Sequence, residues 1–120
     1  MADSTGYTGY IKLAGGTQAQ VKYAKIDAAT SGDNTIVAAV GNKKIRVLSL
    51  FYMASGTVNA RWESGASGTA LTGQVEHTAQ TGVVLPFSED GWFETAAGAL
   101  LNLELSTAIS VDGALTYIEV

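Results

Sequence analysis

Short runs rich in β-branched and aromatic residues recur about every ten residues along this chain, each closed by a cluster of Gly, Asn, Asp or Ser. Helical periodicity is hard to find between them, and evenly spaced short runs are the signature of sandwiches and barrels. The pattern predicts strands at 19–27, 34–40, 44–54, 57–63, 69–76, 82–87, 91–95, 99–106 and 113–120. Tight turns are expected at Gly41-Asn42, Ser55-Gly56 and Asp112-Gly113, since Gly and Asn accept positive φ at little cost. The chain of 120 residues is about one domain long and buries roughly two-thirds of its unfolded surface. The fold class is therefore all-β: an antiparallel two-sheet sandwich, jelly-roll-like, spanning 19–120.

Alternation along individual strands says which faces are buried. In 57–63, Val58, Ala60 and Trp62 alternate with Thr57, Asn59, Arg61 and Glu63, and in 99–106 Leu101, Leu103 and Leu105 alternate with Asn102 and Glu104. The run 44–54 breaks this rule: Ile45, Val47, Phe51 and Met53 fall on one face, while Leu48, Leu50 and Tyr52 fall on the other. A sandwich has a single interior, so the second apolar face requires a cover. A subunit interface through Leu48, Leu50 and Tyr52 supplies one, and the N-terminal segment or a long loop laid over the strand is the other solution.

Residues 1–18 differ from the rest. The stretch from Ser4 through Tyr10 has little to bury, Ile11-Lys12-Leu13 follows, and Gly15-Gly16 reads as a hinge. The expectation is an extended N-terminal arm that orders on a partner or a neighbouring subunit through Tyr7, Tyr10, Ile11 and Leu13.

Charge and composition exclude several functions. Only 15% of residues are charged, against about a quarter in ordinary domains, and the net charge is −4. Without a basic block, binding to nucleic acid or to an anionic membrane surface is not expected. The start of the chain lacks the basic and apolar regions of a signal peptide, so synthesis in the cytoplasm without export is expected. There is no cysteine, hence no thiolate metal site and no cysteine nucleophile.

Catalytic constellations fail for want of partners. The single histidine, His77, has no nucleophile or orienting group identifiable in the sequence and reads as an exposed residue at a strand edge. Glu63, Glu76, Glu89, Asp90 and Glu94 are available as carboxylates, but no spacing selects a pair. Zinc motifs are missing, and the oxygen-rich stretches 31–34 and 88–90 are explained by turn chemistry. No enzymatic activity, cofactor or metal is expected. Trp62 and Trp92 carry the one ligand signal, because flat aromatics stack on sugars; Trp62 shares its face with Val58 and Ala60 and reads as core. Trp92, after Gly91 in a turn, is the candidate stacking residue of a carbohydrate-binding domain.

Four segments carry a family resemblance: Asn34-Thr35-Ile36-Val37-Ala38-Ala39-Val40; Lys44-Ile45-Arg46-Val47-Leu48-Ser49; Gly91-Trp92-Phe93-Glu94-Thr95-Ala96-Ala97-Gly98 with Leu101-Asn102-Leu103; and Leu115-Thr116-Tyr117-Ile118-Glu119-Val120. Over 34–120 the chain resembles small virion structural proteins of tailed bacteriophages. The resemblance implies a jelly-roll-like capsid decoration or cement protein, frequently a homotrimer, that binds the major capsid protein on the capsid surface. A receptor-recognition domain of a phage fibre or tail, binding carbohydrate, is the alternative.

Overall fold

The computed structural model describes residues 9–120. Among the described residues every regular element is a β-strand: β1 (Tyr10–Lys12), β2 (Gln18–Gln20), β3 (Lys22–Ala28), β4 (Thr35–Val37), β5 (Ile45–Ala54), β6 (Val58–Ser64), β7 (Thr69–Ala70), β8 (Val75–His77), β9 (Thr81–Leu85), β10 (Phe93–Glu94), β11 (Leu101–Leu105) and β12 (Val111–Glu119). Two antiparallel sheets face each other. In the first, β5 and β12 are central, β3 lies outside β12, and β9 and β10 follow one another along the far side of β5. In the second, β11 and β6 are central, β4 lies outside β11, and β7 and β8 share the far side of β6. β1 and β2 form a separate hairpin.

The core is the space between these sheets, as the alternation in β6 and β11 requires. Ile26, Ile45, Val47, Leu50, Tyr52, Val111 and Leu115 from one sheet meet Val37, Val58, Trp62, Leu101, Leu103 and Leu105 from the other. Tyr52 and Trp62 pack edge to face with ring centroids 6.4 Å apart, an arrangement that suits the aromatic quadrupole.

Predicted strands and observed ones agree best where the apolar run is long. The runs at 19–27 and 69–76 each divide in two, and 34–40 shortens to three residues because the chain crosses there from one sheet to the other. The expected Gly41-Asn42 turn is present, with Asn42 at φ 61°.

The strand with two apolar faces is resolved by a β-bulge. β12 pairs Thr116 with Ser49 and then Tyr117 with Val47, leaving Leu48 as the extra residue on β5. Before the bulge Ile45 and Val47 point into the core; after it Leu50, Tyr52 and Ala54 do. The alternation therefore switches parity at Leu48, and neither expected face is continuous. Leu48 joins a second small cluster with Ile11, Ala19 and Ile118, against which Leu13, Val21 and Val120 also pack. Residues 10–20 are thus a hairpin folded over the outside of the first sheet, which replaces the extended arm expected for this stretch. Its apolar contacts set this arrangement, because Ile11 and Ala19 stand opposite each other in the hairpin and are both buried.

Candidate functional site

The hairpin covers only one end of the outer face of the first sheet. Beyond it the rows of that face can be read from the register. Tyr23, Thr116 and Ser49 form the row next to the hairpin. Lys25, Ala114, Phe51 and Val84 form the next, and Asp27, Asp112, Met53 and Gly82 the last. Tyr23, Phe51, Met53 and Val84 are 72%, 55%, 55% and 76% exposed. A shallow groove of about 310 Å³ is floored by Ser49, Ala114 and Thr116 between the larger Tyr23, Phe51 and Val84. Side chains of this size laid on one sheet face form a contiguous apolar patch, the kind of surface associated with protein contacts.

Of the residues expected at a subunit interface, all three are enclosed by the chain itself. Leu48 lies under the hairpin, while Leu50 and Tyr52 belong to the intersheet core. The bulge is the physical reason: it turns Leu50 and Tyr52 inward and presents Phe51 and Met53 outward. Phe51 and Met53 were legible as one apolar face of the 44–54 run, whereas Tyr23 and Val84 join them only through strand pairing.

Among the residues expected in the arm, Ile11 is buried, Leu13 packs against the second cluster and Tyr10 is half exposed. Tyr7 lies outside the described residues. Trp62 is in the core, as its face predicted. Trp92 is 46% exposed, with its indole Nε1 donating to Pro86 O at 2.8 Å. Phe87 is exposed in the same 86–92 connection.

His77 is buried, contrary to its expected place at an exposed edge. Thr81 Oγ1 donates to Thr78 O at 2.8 Å, so toward His77 Nδ1, 3.2 Å away, it acts as acceptor. Nδ1 therefore carries the proton, and Nε2 accepts from the Tyr52 hydroxyl at 3.0 Å. Burial holds the imidazole below its ordinary pKa and pushes the Tyr52 phenol up to about 12. The relay joins β5 of one sheet to β8 of the other and satisfies the polar groups it buries. Beside it, an apolar cleft of about 190 Å³ opens between the sheets at Trp62, Val75, Val83 and Phe93.

A polar cluster ties the connection after β3 to the second sheet. Asn102, fully buried, donates through Nδ2 to Asp33 at 2.8 Å and to Glu63 at 3.0 Å, and its Oδ1 accepts from Asn34 N at 2.7 Å. Arg61 pairs with Glu63, and Ser67 donates to Asp33 from both backbone and hydroxyl. The carboxylates of Asp33, Glu63 and Glu104 come within 4.8 Å of one another. Hydrogen bonds from Ser67 hold Asp33 below the usual carboxylate range, whereas burial and then hydrogen bonding to Asp33 raise Glu104. Three carboxylates at such distances resemble the donor set of a divalent cation, but those of Asp33 and Glu63 are already matched by side-chain and backbone donors.

Among the described residues, no helix is long and apolar enough to cross a membrane. Comparison with protein families, with curated proteins and with solved structures returned no match to this chain.

Proposed function

We propose that this chain is a bacteriophage virion structural protein, a capsid decoration protein that attaches to the shell as an oligomer. One observation carries the reading: a charge-poor sandwich leaves Tyr23, Phe51, Met53 and Val84 bare on one sheet face, while the other large apolar side chains of that sheet are buried or half-buried. Such a surface suits binding to protein. Two further features support it. The order β3-β12-β5-β9 in one sheet and β4-β11-β6-β8 in the other fits two interleaved Greek keys, the jelly-roll pattern. The segments that carry the resemblance to tailed-phage proteins supply strands β4, β5, β10, β11 and β12.

In this reading the major capsid protein is the partner, the chain works on the outside of the virion after synthesis in the bacterial host, and no chemistry is required of it. The test is to add purified protein to capsids produced without it and measure co-sedimentation and heat resistance. Saturable binding that raises the temperature of capsid disruption is expected. Absence of binding, with the protein folded, refutes the assignment.

The exposure of Trp92 beside Phe87 favours a second reading, a carbohydrate-binding tip of a fibre or tail. A glycan array on which the parent binds and Trp92→Ala does not is the result that reading requires.

A further inference from the structure

We propose that the bare outer face of β9-β5-β12-β3 is an isologous interface occupied by a second copy of this chain, packed face to face about a two-fold axis perpendicular to the strands. This inference rests on the reading of that face as a protein contact surface; it assigns the face to the contact between copies rather than to the shell, and sets a two-fold pair in place of the homotrimer that the resemblance implies.

The two outermost rows carry the argument. One row holds Lys25, Ala114, Phe51 and Val84, and the row beside it holds Asp27, Asp112, Met53 and Gly82, in the same strand order. A two-fold axis lying between these rows places each residue of one row over its strand neighbour in the other. Lys25 then faces Asp27 of the second copy, Phe51 faces Met53, and Val84, the largest projection at that edge, faces Gly82. Each contact is made twice by symmetry. The alternative axis, running through the Lys25 row itself, would stack Lys25 on Lys25 and is disfavoured by like charge.

The lone chain also carries an unresolved cost that this pairing removes. Asp27 and Asp112 are direct cross-strand partners, and like charges so placed destabilise a sheet. Among the described residues, neither is in a salt bridge, nor is Lys25. In the pair, the ammonium of each Lys25 comes over Asp27 of the second copy, with Asp112 one strand away, about 4.8 Å to the side. The hairpin β1-β2 caps the opposite end of the same face, over Leu48 and Ile118, so it lies clear of the second copy and limits the overlap to the bare rows.

Size fits a reversible pair. At roughly 150–200 Å² for a fully exposed side chain of these types, Phe51, Met53 and Val84 of the two paired rows present on the order of 330 Å². With Lys25, Asp27 and Asp112 beside them the contact stays below the roughly 800 Å² per partner of a standard interface, at the small end where weak, reversible contacts fall.

Analytical ultracentrifugation of the full chain from 1 to 200 µM (about these limits) tests the pair, with circular dichroism to verify folding. The expected species at high concentration has twice the 12.4 kDa chain mass. Phe51→Asp is expected to give a folded monomer throughout. Lys25→Asp and Asp27→Lys, each placing like charges together, are expected to weaken the dimer at least tenfold or so. The double variant is expected to recover most of that loss, because exchanging the two charges restores an opposite-sign pair across the interface. A parent that stays monomeric, forms a trimer, or dimerises equally well in the Phe51→Asp variant overturns the proposal, as does a double variant no better than either single change. A monomer that still binds capsids overturns the pair while leaving the decoration role; a dimer that ignores capsids does the reverse.

Discussion

Replacing Tyr52 by Phe removes one oxygen and nothing else from the centre of the sandwich. The ring keeps its edge-to-face contact with Trp62 and its place between the sheets. What is lost is the donor to His77 Nε2. A change of tautomer offers no escape: with the Tyr52 oxygen gone, Nε2 lacks a partner whether or not it carries the proton, and moving the proton off Nδ1 would also break its bond to Thr81, whose own proton goes to Thr78 O. A buried acceptor left unpaired costs about 1–3 kcal/mol. At roughly 4 °C per kcal/mol for a domain of this length, the melting temperature should fall by about 4–12 °C at pH 7. Thermal and urea unfolding followed by circular dichroism would read this directly. The acid side gives an independent handle. A histidine held below its ordinary pKa in the folded state stays neutral while the unfolded chain takes up a proton, so stability is fully present above about 6.5 and drains away as pH falls toward the depressed value. His77 is the only histidine, so His77→Gln should flatten the dependence between pH 7 and 5.5 or thereabouts. A Tyr52→Phe variant melting within about 1 °C of the parent, or a parent whose stability is constant over that range, would refute the relay.

At the alkaline end the sign reverses for Tyr52. Its folded pKa of about 12 exceeds the ordinary 10.0, so its contribution is complete below pH 10 and lost as pH climbs toward 12; tyrosine absorbance at 295 nm or so should show Tyr52 and Tyr117 titrating after the exposed phenols. Ile11→Ala should cost about 2 kcal/mol and make residues 9–20 the first site of limited proteolysis, since Ile11 and Ala19 are the buried anchors of the hairpin; an unchanged cleavage pattern would show that the hairpin is held otherwise. Asn102→Ala should destabilise by about 3–5 kcal/mol in urea titrations, because it strips a donor from buried Glu63 and an acceptor from Asn34 N at once; a loss under about 1 kcal/mol would mean that water takes its place.

Local pattern determined much of the architecture. The alternations of β6 and β11 chose their buried faces, the Gly41-Asn42 turn lies where its residues demand positive φ, and β-branched and aromatic runs dictated an all-β chain. Trp62 was legible as core for the same reason. The candidate contact surface was half legible, through Phe51 and Met53, because a second apolar face on one strand requires a cover.

Only the tertiary structure decided which residues that face contains. The bulge at Leu48 depends on β12, some seventy residues away in sequence, closing its register from Tyr117 to Val47 and from Thr116 to Ser49. A one-residue slip reverses every side chain beyond it, which is why Leu50 and Tyr52 went inward and the interface expected on them could not form there. The burial of His77 likewise follows from its pairing with Val58 across β8 and β6, and the facing of Asp27 and Asp112 from the union of β3 with β12. Periodicity within a strand is a local property that the backbone enforces on its own; register between strands is a long-range choice, made by packing, and it is register that placed Tyr23, Phe51, Met53 and Val84 on one surface.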